Sequence, residues 1–311
     1  MHRQPLIQDI LSFIRQPKAN SENANITTLS KAKLVMRVTC LAIFLVFVIG
    51  LITDNLVKIS GYSQEDNNII IDYLSSTSAW EVILIIVILG PILEELAFRL
   101  YLKPYKRSFL IGIYFYLLLL ISTLFSYTES LTNAYYLIGS VIFATLIIIG
   151  SFIFIKKVWI EKVIEKYFRF LVYLSTITFG LIHITNYENL NQYWWLSLLL
   201  VLPQLIVGAV LPYVRVRLGF IWSILTHSLY NAILVIVPLG LLAGPGEVSQ
   251  LISTTENESE LLSKFSLLES SYVIFLSFLA ISIFLVITII SIQLISEYNR
   301  YRKNNKQIKI D

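Results

Sequence analysis

The chain alternates long apolar runs with short polar segments. Each run approaches or exceeds the roughly 20 residues that an α-helix needs to cross about 30 Å of hydrocarbon. The apolar windows lie at 35–56, 80–101, 109–126, 134–155, 169–187, 193–213, 218–242 and 271–295. The pattern therefore predicts an all-α protein, a polytopic membrane helix bundle with about eight transmembrane helices.

The composition also points to the membrane. Hydrophobic residues make up 56% of the 311 residues and charged residues 14%, against about 25% charged in soluble domains. Cys40 is the only cysteine, which excludes an intramolecular disulfide and a cysteine-based zinc site. The sequence carries no glycine-rich phosphate loop and no nucleic-acid signature. The expected partners are therefore membrane lipids and a substrate, and no nucleic acid.

The positions of Lys and Arg predict the orientation. Apart from Lys58, Arg99 and Lys264, they fall in the N-terminal segment, in every second loop or in the C-terminal segment. Basic residues of short loops collect on the cytoplasmic side of a membrane. We therefore expect a multi-pass protein of the cell membrane with both termini in the cytoplasm.

Three segments follow from this pattern. Residues 1–33 form a cytoplasmic N-terminal segment, residues 34–296 an eight-helix transmembrane domain, and residues 297–311 a basic cytoplasmic tail. The first segment carries apolar residues at helical spacing, which fits either a short helix on the inner membrane surface or a disordered tail. These residues are Leu6, Ile7, Ile10, Leu11, Phe13 and Ile14.

Two adjacent carboxylates, Glu94 and Glu95, interrupt the second apolar window. A charge near the centre of a membrane helix costs about 2.5 to 3.5 kcal/mol, so both acids and the nearby Arg99 must face the protein interior. Glu95 and Arg99 are four residues apart and can pair on one helix face. Glu94 points about 100° away from that face and is free to act as a general base in a cavity.

Two further pairs with the same spacing occur in later windows. Phe179 and His183 lie one turn apart in the fifth window, and His227 and Asn231 lie one turn apart in the seventh. Phe179 would shield an imidazole, while the donors of His227 and Asn231 could hold a developing oxyanion. Either pair alone more often joins neighbouring helices. Their occurrence together with the unpaired Glu94 favours catalysis.

These motifs resemble the signature of the CPBP family of intramembrane proteases. That family includes the type II CAAX prenyl endopeptidases and bacterial Abi proteins linked to bacteriocin maturation or self-immunity. The resemblance lies within residues 79–236, although the first and second motifs are farther apart than is usual, with the third and fourth windows between them. The residues that carry it are Glu94, Glu95, Arg99, Phe179, His183, His227 and Asn231.

The resemblance implies a role for each motif residue. Glu94 and His183 would activate the attacking water, and His227 and Asn231 would stabilise the tetrahedral oxyanion. Structural support would come from Glu95, Arg99 and Phe179. The function favoured by the sequence is an intramembrane endopeptidase that hydrolyses a peptide bond of a membrane-associated or lipid-anchored peptide. The alternatives are a non-catalytic immunity or scaffold protein that retains the motifs, and an ion-coupled transporter.

The same residues leave open whether a metal takes part. Glu94, His183 and His227 would supply a His₂Glu zinc set with an open water position. The ligating imidazoles of such a site need an acceptor for their second nitrogen, and the acid nearest to these motif residues in the sequence is Glu95, which is expected to pair with Arg99. We therefore favour metal-free chemistry without a cofactor, with zinc as the alternative.

The depth of the motifs predicts the side from which substrate arrives. Glu94 precedes the loop residue Lys103 by about 13 Å of helix, and His227 follows the loop residue Arg217 by a similar rise. Both loops belong to the basic, cytoplasmic set. We therefore expect substrate to enter from the cytoplasmic leaflet.

Overall fold

The computed structural model describes residues 4–19, 27–63, 67–125, 131–242 and 258–307. Helices form nearly all of this part of the chain, and no strand occurs within it. The α-helices are α1 Leu6–Arg15, α2 Thr28–Ser60, α3 Ile69–Ser76, α4 Ala79–Val82, α5 Gly90–Phe98, α6 Lys106–Phe125, α7 Leu131–Phe154, α8 Lys157–Ile182, α9 Ser197–Leu200, α10 Leu202–Leu218, α11 Phe220–Leu242 and α12 Glu258–Gln307.

The predicted all-α membrane class is confirmed, whereas the described residues do not confirm the count of eight spans. Among the described residues, five helices are long and apolar enough to cross a membrane, and a sixth span results if one bent pair is counted together. The five are Thr28–Ser60, Lys106–Thr123, Leu137–Phe154, Lys157–Asn186 and Ile281–Asn305. The second window folds into shorter helical pieces.

The first and last long helices pack against each other. Ser291 on α12 donates a hydrogen bond to the carbonyl of Cys40 on α2 over 3.3 Å. Near the other end of this contact, the rings of Phe47 and Phe284 lie 4.8 Å apart. Helix α12 continues through Gln307, so most of the predicted tail 297–311 is helical, and residues 308–311 lie outside the described part.

Helix α1 packs on the protein. Leu6, Ile10 and Phe13 form its buried face, and the ring of Phe13 meets Tyr213 of α10 edge to face at 5.7 Å. The Tyr213 hydroxyl donates to the carboxylate of Asp9 over 2.8 Å. The apolar stripe read from the sequence is thus covered by the bundle, while residues 1–3 and 20–26 of the N-terminal segment lie outside the described residues.

The second apolar window, 80–101, is not one regular helix. Between α4 and α5 the backbone forms a π-helix over Ile83–Leu89, in which hydrogen bonds reach back five residues. Helix α5 then ends at Phe98, and Arg99 takes its C-cap position. Glu94 is therefore only about 6 Å of helix rise from the end of α5, less than the 13 Å expected for a helix running to Lys103.

The sixth window, 193–213, is broken as well. Short 3-10 helices over Leu190–Gln192 and Trp194–Leu196 lead into α9. The pieces Trp194–Leu200 and Leu202–Leu218 are bent by 43° relative to each other. The break at Val201 comes immediately before a helix whose first turn holds a proline, where the missing N–H is tolerated.

Helices α8 and α10 approach each other closely at Gly208. A Cβ atom at this position would meet the Phe179 ring and the Thr176 carbonyl oxygen at 3.0 Å each. Pro212 has no N–H to offer the Gly208 carbonyl four residues earlier, and the hydroxyl of Thr176 donates to that carbonyl over 3.0 Å instead. Gly208 thus lets α10 pack closely against the Phe179 ring.

Candidate active site

The centre of the site is the carboxylate of Glu95, which is fully buried. Its Oε1 atom lies 3.5 Å from Nε of Arg99, as the spacing of four residues predicts. The same oxygen lies 3.2 Å from Nδ1 of His227, and Oε2 accepts a hydrogen bond from the hydroxyl of Ser223. Glu95 therefore joins its own helix to α11, a contact that the Glu95–Arg99 prediction did not include.

His227 lies between the two acids. Its Nδ1 faces Glu95, and its Nε2 is 3.7 Å from Oε2 of Glu94. The Glu94 side chain is 27% exposed, whereas Glu95 is completely enclosed. The Glu94 Oε2 atom has no hydrogen-bond partner among the described residues. The two carboxylates thus differ as predicted in geometry: one is locked into the structure, and the other has an oxygen free for a ligand.

Arg99 is enclosed without a hydrogen bond from its guanidinium to any described residue. Its side chain is completely buried, and its charge is met by Glu95 and by aromatic faces. The guanidinium carbon lies 4.1 Å from the centroid of the Phe179 ring and 5.4 Å from that of Phe98. Such cation–π contacts strengthen in a desolvated setting, so the Phe179 ring helps to hold the buried charge.

Phe179 also contacts both imidazoles. Its ring centroid is 4.8 Å from that of His183 and 5.6 Å from that of His227. The structure brings His183 to the site through this ring. Among the described residues, His183 makes neither an ion pair nor a hydrogen bond with Glu94.

His183 lies where α8 ends and a 3-10 turn over His183–Asn186 begins. Its Nδ1 is 2.7 Å from the carbonyl oxygen of Phe179. A carbonyl can only accept, so Nδ1 carries the proton, and Nε2 of a neutral ring is left with a free lone pair. The end of the helix thus fixes both the position and the tautomer of this imidazole.

Asn231 faces the π-helix. Its Nδ2 donates to the carbonyl oxygen of Ile86 over 2.8 Å. An amide nitrogen has two N–H groups, so one remains for another acceptor. Asn231 is one turn beyond His227 on α11, and both side chains reach the segment that carries the acids.

The end of α5 is capped by side chains from two other helices. Ser175 on α8 donates to the carbonyl of Phe98 over 2.7 Å. Arg215 on α10 donates from Nε to the carbonyl of Arg99 over 3.0 Å and from Nη2 to that of Leu100 over 3.4 Å. The assignment of Arg215 to a basic loop was wrong, because its guanidinium is buried as the cap of the helix that carries Glu94. Lys103, the other marker of that basic side, is buried as well.

Sequence reasoning missed Ser223 and Arg215. Ser223 could have been found, because it precedes His227 by one turn and extends the His227–Asn231 stripe along the same face of α11. Arg215 has no local signal, since its partners are carbonyl groups far away in the chain. Only the tertiary structure identifies such a cap.

The motif residues do not converge as metal ligands. Among the described residues, no three or more His, Cys, Asp or Glu side chains converge so that they could hold a metal ion. His227 directs its two nitrogens at two carboxylates, and His183 makes its polar contact with a backbone carbonyl. The residues Glu94, His183 and His227 therefore do not form a zinc set in this structure.

Comparison with known proteins identifies the family. A family model described as type II CAAX prenyl endopeptidase Rce1-like matches residues 76–233, about half of the chain and all seven motif residues. No curated protein and no solved structure gives a significant match. The matched region begins just before α4 and ends within α11, so it contains the whole cluster around Glu95. The protein belongs to the type II CAAX prenyl endopeptidase Rce1-like family.

Proposed function

We propose that the protein is an intramembrane endopeptidase in which Glu94 activates a water molecule for attack on a peptide carbonyl. One observation carries the proposal: the Nε2 atom of His227 lies 3.7 Å from an otherwise unpartnered oxygen of Glu94, while Nδ1 is held by Glu95. This separation is too long for a direct hydrogen bond, and a water molecule that lies beside the pair can contact both groups.

The chemistry follows from the donors and acceptors. Glu94 takes a proton from water as the water oxygen bonds to the peptide carbon. The carbonyl oxygen becomes an oxyanion, and His227 and Asn231 donate N–H groups to it. When the carbon–nitrogen bond breaks, Glu94 returns the proton to the leaving amine, so that one water is consumed and two new chain ends form.

The surroundings of the two imidazoles support different roles for them. His183 has its proton fixed on Nδ1 by the Phe179 carbonyl, which leaves Nε2 as an acceptor that helps Glu94 to orient the water. His227 faces carboxylates with both nitrogens, an arrangement in which a protonated ring donates on both sides. Glu95 orients His227 in addition to pairing with Arg99. We infer metal-free chemistry at this site, and the chelator experiment below tests it.

The substrate we propose is a peptide held at the membrane, for example by a lipid on a cysteine. The family description names a CAAX prenyl endopeptidase, and the lipid on the cysteine of a CAAX sequence would keep the scissile bond near the membrane surface. We further propose that both termini are cytoplasmic and that substrate enters from that side. The basic residues of the short loops support this orientation, and two contacts join segments expected on that side: Arg217 pairs with Asp9, and Lys106 donates to the carbonyl of Phe152.

The test uses the full-length protein in nanodiscs and an internally quenched peptide that ends in farnesyl-Cys-Val-Ile-Met. An unprenylated copy of the peptide tests whether the lipid matters, and a chelator arm tests metal dependence. We expect cleavage by the wild type that chelator does not affect. Glu94→Gln should lower kcat by about 100-fold or more with unchanged thermal stability.

Glu161→Gln is the matched control, because Glu161 forms an exposed ion pair with Lys157 away from the site. It should cleave like the wild type. Absence of cleavage of either peptide by pure wild-type protein, or full activity of Glu94→Gln, would contradict the proposal. If proteoliposomes that contain the protein accumulate an ion in the absence of peptide, the transporter alternative is favoured. A wild-type protein that is stable but cleaves neither peptide would favour the immunity or scaffold alternative.

A further inference from the structure

The hydrogen bond between Asn231 and the Ile86 carbonyl joins α11 to the π-helix that precedes the two acids. Its donor and acceptor are 145 residues apart in the chain. Carbonyl groups inside a helix normally accept from the backbone N–H four or five residues ahead. A hydrogen bond from the side chain of another helix is therefore unusual for the Ile86 carbonyl.

The reason lies in the dipeptide Gly90-Pro91. The N–H of Gly90 donates to the carbonyl of Ile85, five residues back. In this register the next donor, for the carbonyl of Ile86, would be residue 91. Residue 91 is proline and has no N–H, so the Ile86 carbonyl lacks its backbone donor and takes the amide of Asn231 instead.

Gly90 allows this register to form. A Cβ atom at position 90 would lie 2.9 Å from the backbone oxygen of Ile85, closer than real Cβ contacts permit. The oxygen belongs to the main chain of the π-helix, so it cannot move aside as a flexible side chain would. The π-helix therefore depends on glycine at position 90, whereas the open Ile86 carbonyl depends on proline at position 91.

We propose that Gly90-Pro91 is a positioning element for Asn231: the proline leaves one carbonyl open, and that carbonyl holds the Asn231 amide in the orientation that directs its second N–H into the site. The catalytic part of this inference rests on the proposed function, whereas the structural part does not. Pro91 and Ile86 touch no substrate in this account and act only through Asn231.

A thermal double-mutant cycle tests the structural part without any activity. In the otherwise wild-type protein, Asn231→Ala leaves the Ile86 carbonyl without its hydrogen-bond donor and should lower Tm. In the Pro91→Ala background, residue 91 regains an N–H that can serve this carbonyl, so Asn231→Ala should lower Tm much less. Additive Tm shifts, which are expected of residues that do not interact, would overturn the inference.

Pro212 supplies the matched control. It leaves the Gly208 carbonyl open to Thr176 in the same way but belongs to the α8–α10 contact. A cycle of Pro212→Ala with Asn231→Ala should be additive, whereas Pro212→Ala with Thr176→Val should show coupling. If Pro91→Ala does not fold, Pro91→Ser introduces the same N–H, and the cycle is repeated with that variant.

The activity arm uses the farnesylated peptide. Asn231→Ala should lower kcat by about 100-fold with little change in KM. Pro91→Ala should lower kcat in the wild-type background but have no further effect when Asn231 is already alanine. An equal loss in both backgrounds would show that Pro91 acts on kcat independently of Asn231 and would contradict the positioning role. If the wild type cleaves nothing, the proposed function fails while the thermal cycle still decides the structural part.

Discussion

The carboxylate of Glu95 accepts a hydrogen bond from Nδ1 of His227 over 3.2 Å. This contact makes Glu95 part of the orientation of an imidazole as well as the counterion of Arg99. Since a carboxylate accepts and does not donate, Nδ1 must carry a proton. The orientation of the His227 ring, and with it the nitrogen that faces Glu94, is thus determined by a completely buried residue.

Glu95→Gln should therefore impair both folding and turnover. It leaves the buried Arg99 charge without its counterion, and breaking a buried ion pair costs about 3 to 5 kcal/mol. We expect a large drop in Tm in detergent and, in the folded fraction, a lower kcat because His227 loses its carboxylate acceptor. A fully stable Glu95→Gln protein would contradict this dual role.

Ser223→Ala should disturb the orientation of Glu95 without removing the counterion of Arg99. The Ser223 hydroxyl bonds to Glu95 and touches neither Arg99 nor Glu94 in the described contacts, and loss of a hydrogen bond to a charged group costs about 1.5 to 3 kcal/mol. We expect a moderate loss of stability with a reduced kcat. Ser291→Ala is the control, because that hydroxyl is equally buried but bonds to Cys40 at the α2–α12 contact. Its kcat should not change.

The glycine at the α8–α10 contact predicts a second stability effect. Gly208→Ala places a Cβ atom at 3.0 Å from both Phe179 and the Thr176 carbonyl, and overpacking of this kind costs about 1 to 3 kcal/mol. Because Phe179 contacts both imidazoles, kcat should fall together with Tm. Gly150→Ala on α7 is the control, since nothing lies within 4 Å of its added Cβ. If Gly208→Ala and Gly150→Ala have the same Tm and kcat, close packing at Gly208 is not required.

Arg215 predicts a third effect. Arg215→Gln removes the donors to the Arg99 and Leu100 carbonyls at the end of α5, and each stranded buried acceptor costs about 1 to 3 kcal/mol. Arg37→Gln removes only an exposed ion pair with Glu297, which is worth about 0 to 1 kcal/mol. Thermal unfolding in the same detergent compares them. A larger loss for Arg37→Gln would show that the cap is unimportant.

The proposed orientation can be tested by cysteine labelling. Tyr105 is 59% exposed at the basic end of the bundle, whereas Gln192 is exposed in the segment between α8 and α9. The native Cys40 is buried and should remain silent. A membrane-impermeant maleimide should label Gln192→Cys on intact cells and Tyr105→Cys only in inside-out vesicles. The reverse pattern would place the termini outside.

Local spacing predicted much of this site. The pairing of Glu95 with Arg99 and the common face of His227 and Asn231 depend only on helix geometry, so the sequence contains them. The difference between Glu94 and Glu95 also follows from the 100° rotation between neighbouring residues. These predictions hold because each concerns atoms within one or two turns of the same helix.

The remaining features depend on contacts between distant helices. Nothing near Glu95 indicates that its second partner is His227, and nothing near Arg215 indicates a helix end as its acceptor. Broken helices are also difficult to predict, because a long apolar run has the same composition whether the backbone is regular or interrupted. Gly90-Pro91 follows the irregular segment directly, and the open Ile86 carbonyl links this dipeptide to Asn231 of α11.

The contact between α2 and α12 has a consequence for the biosynthesis of the protein. Arg37 and Glu297 are 260 residues apart in the chain, a distance that a ribosome covers in about 13 to 50 s at 5 to 20 residues per second. During that time α2 is in the membrane without the helix that covers Cys40, which packs beside Ile287 in the finished protein. The burial of this thiol against Ile287 is therefore completed only after the last helix of the chain has been made.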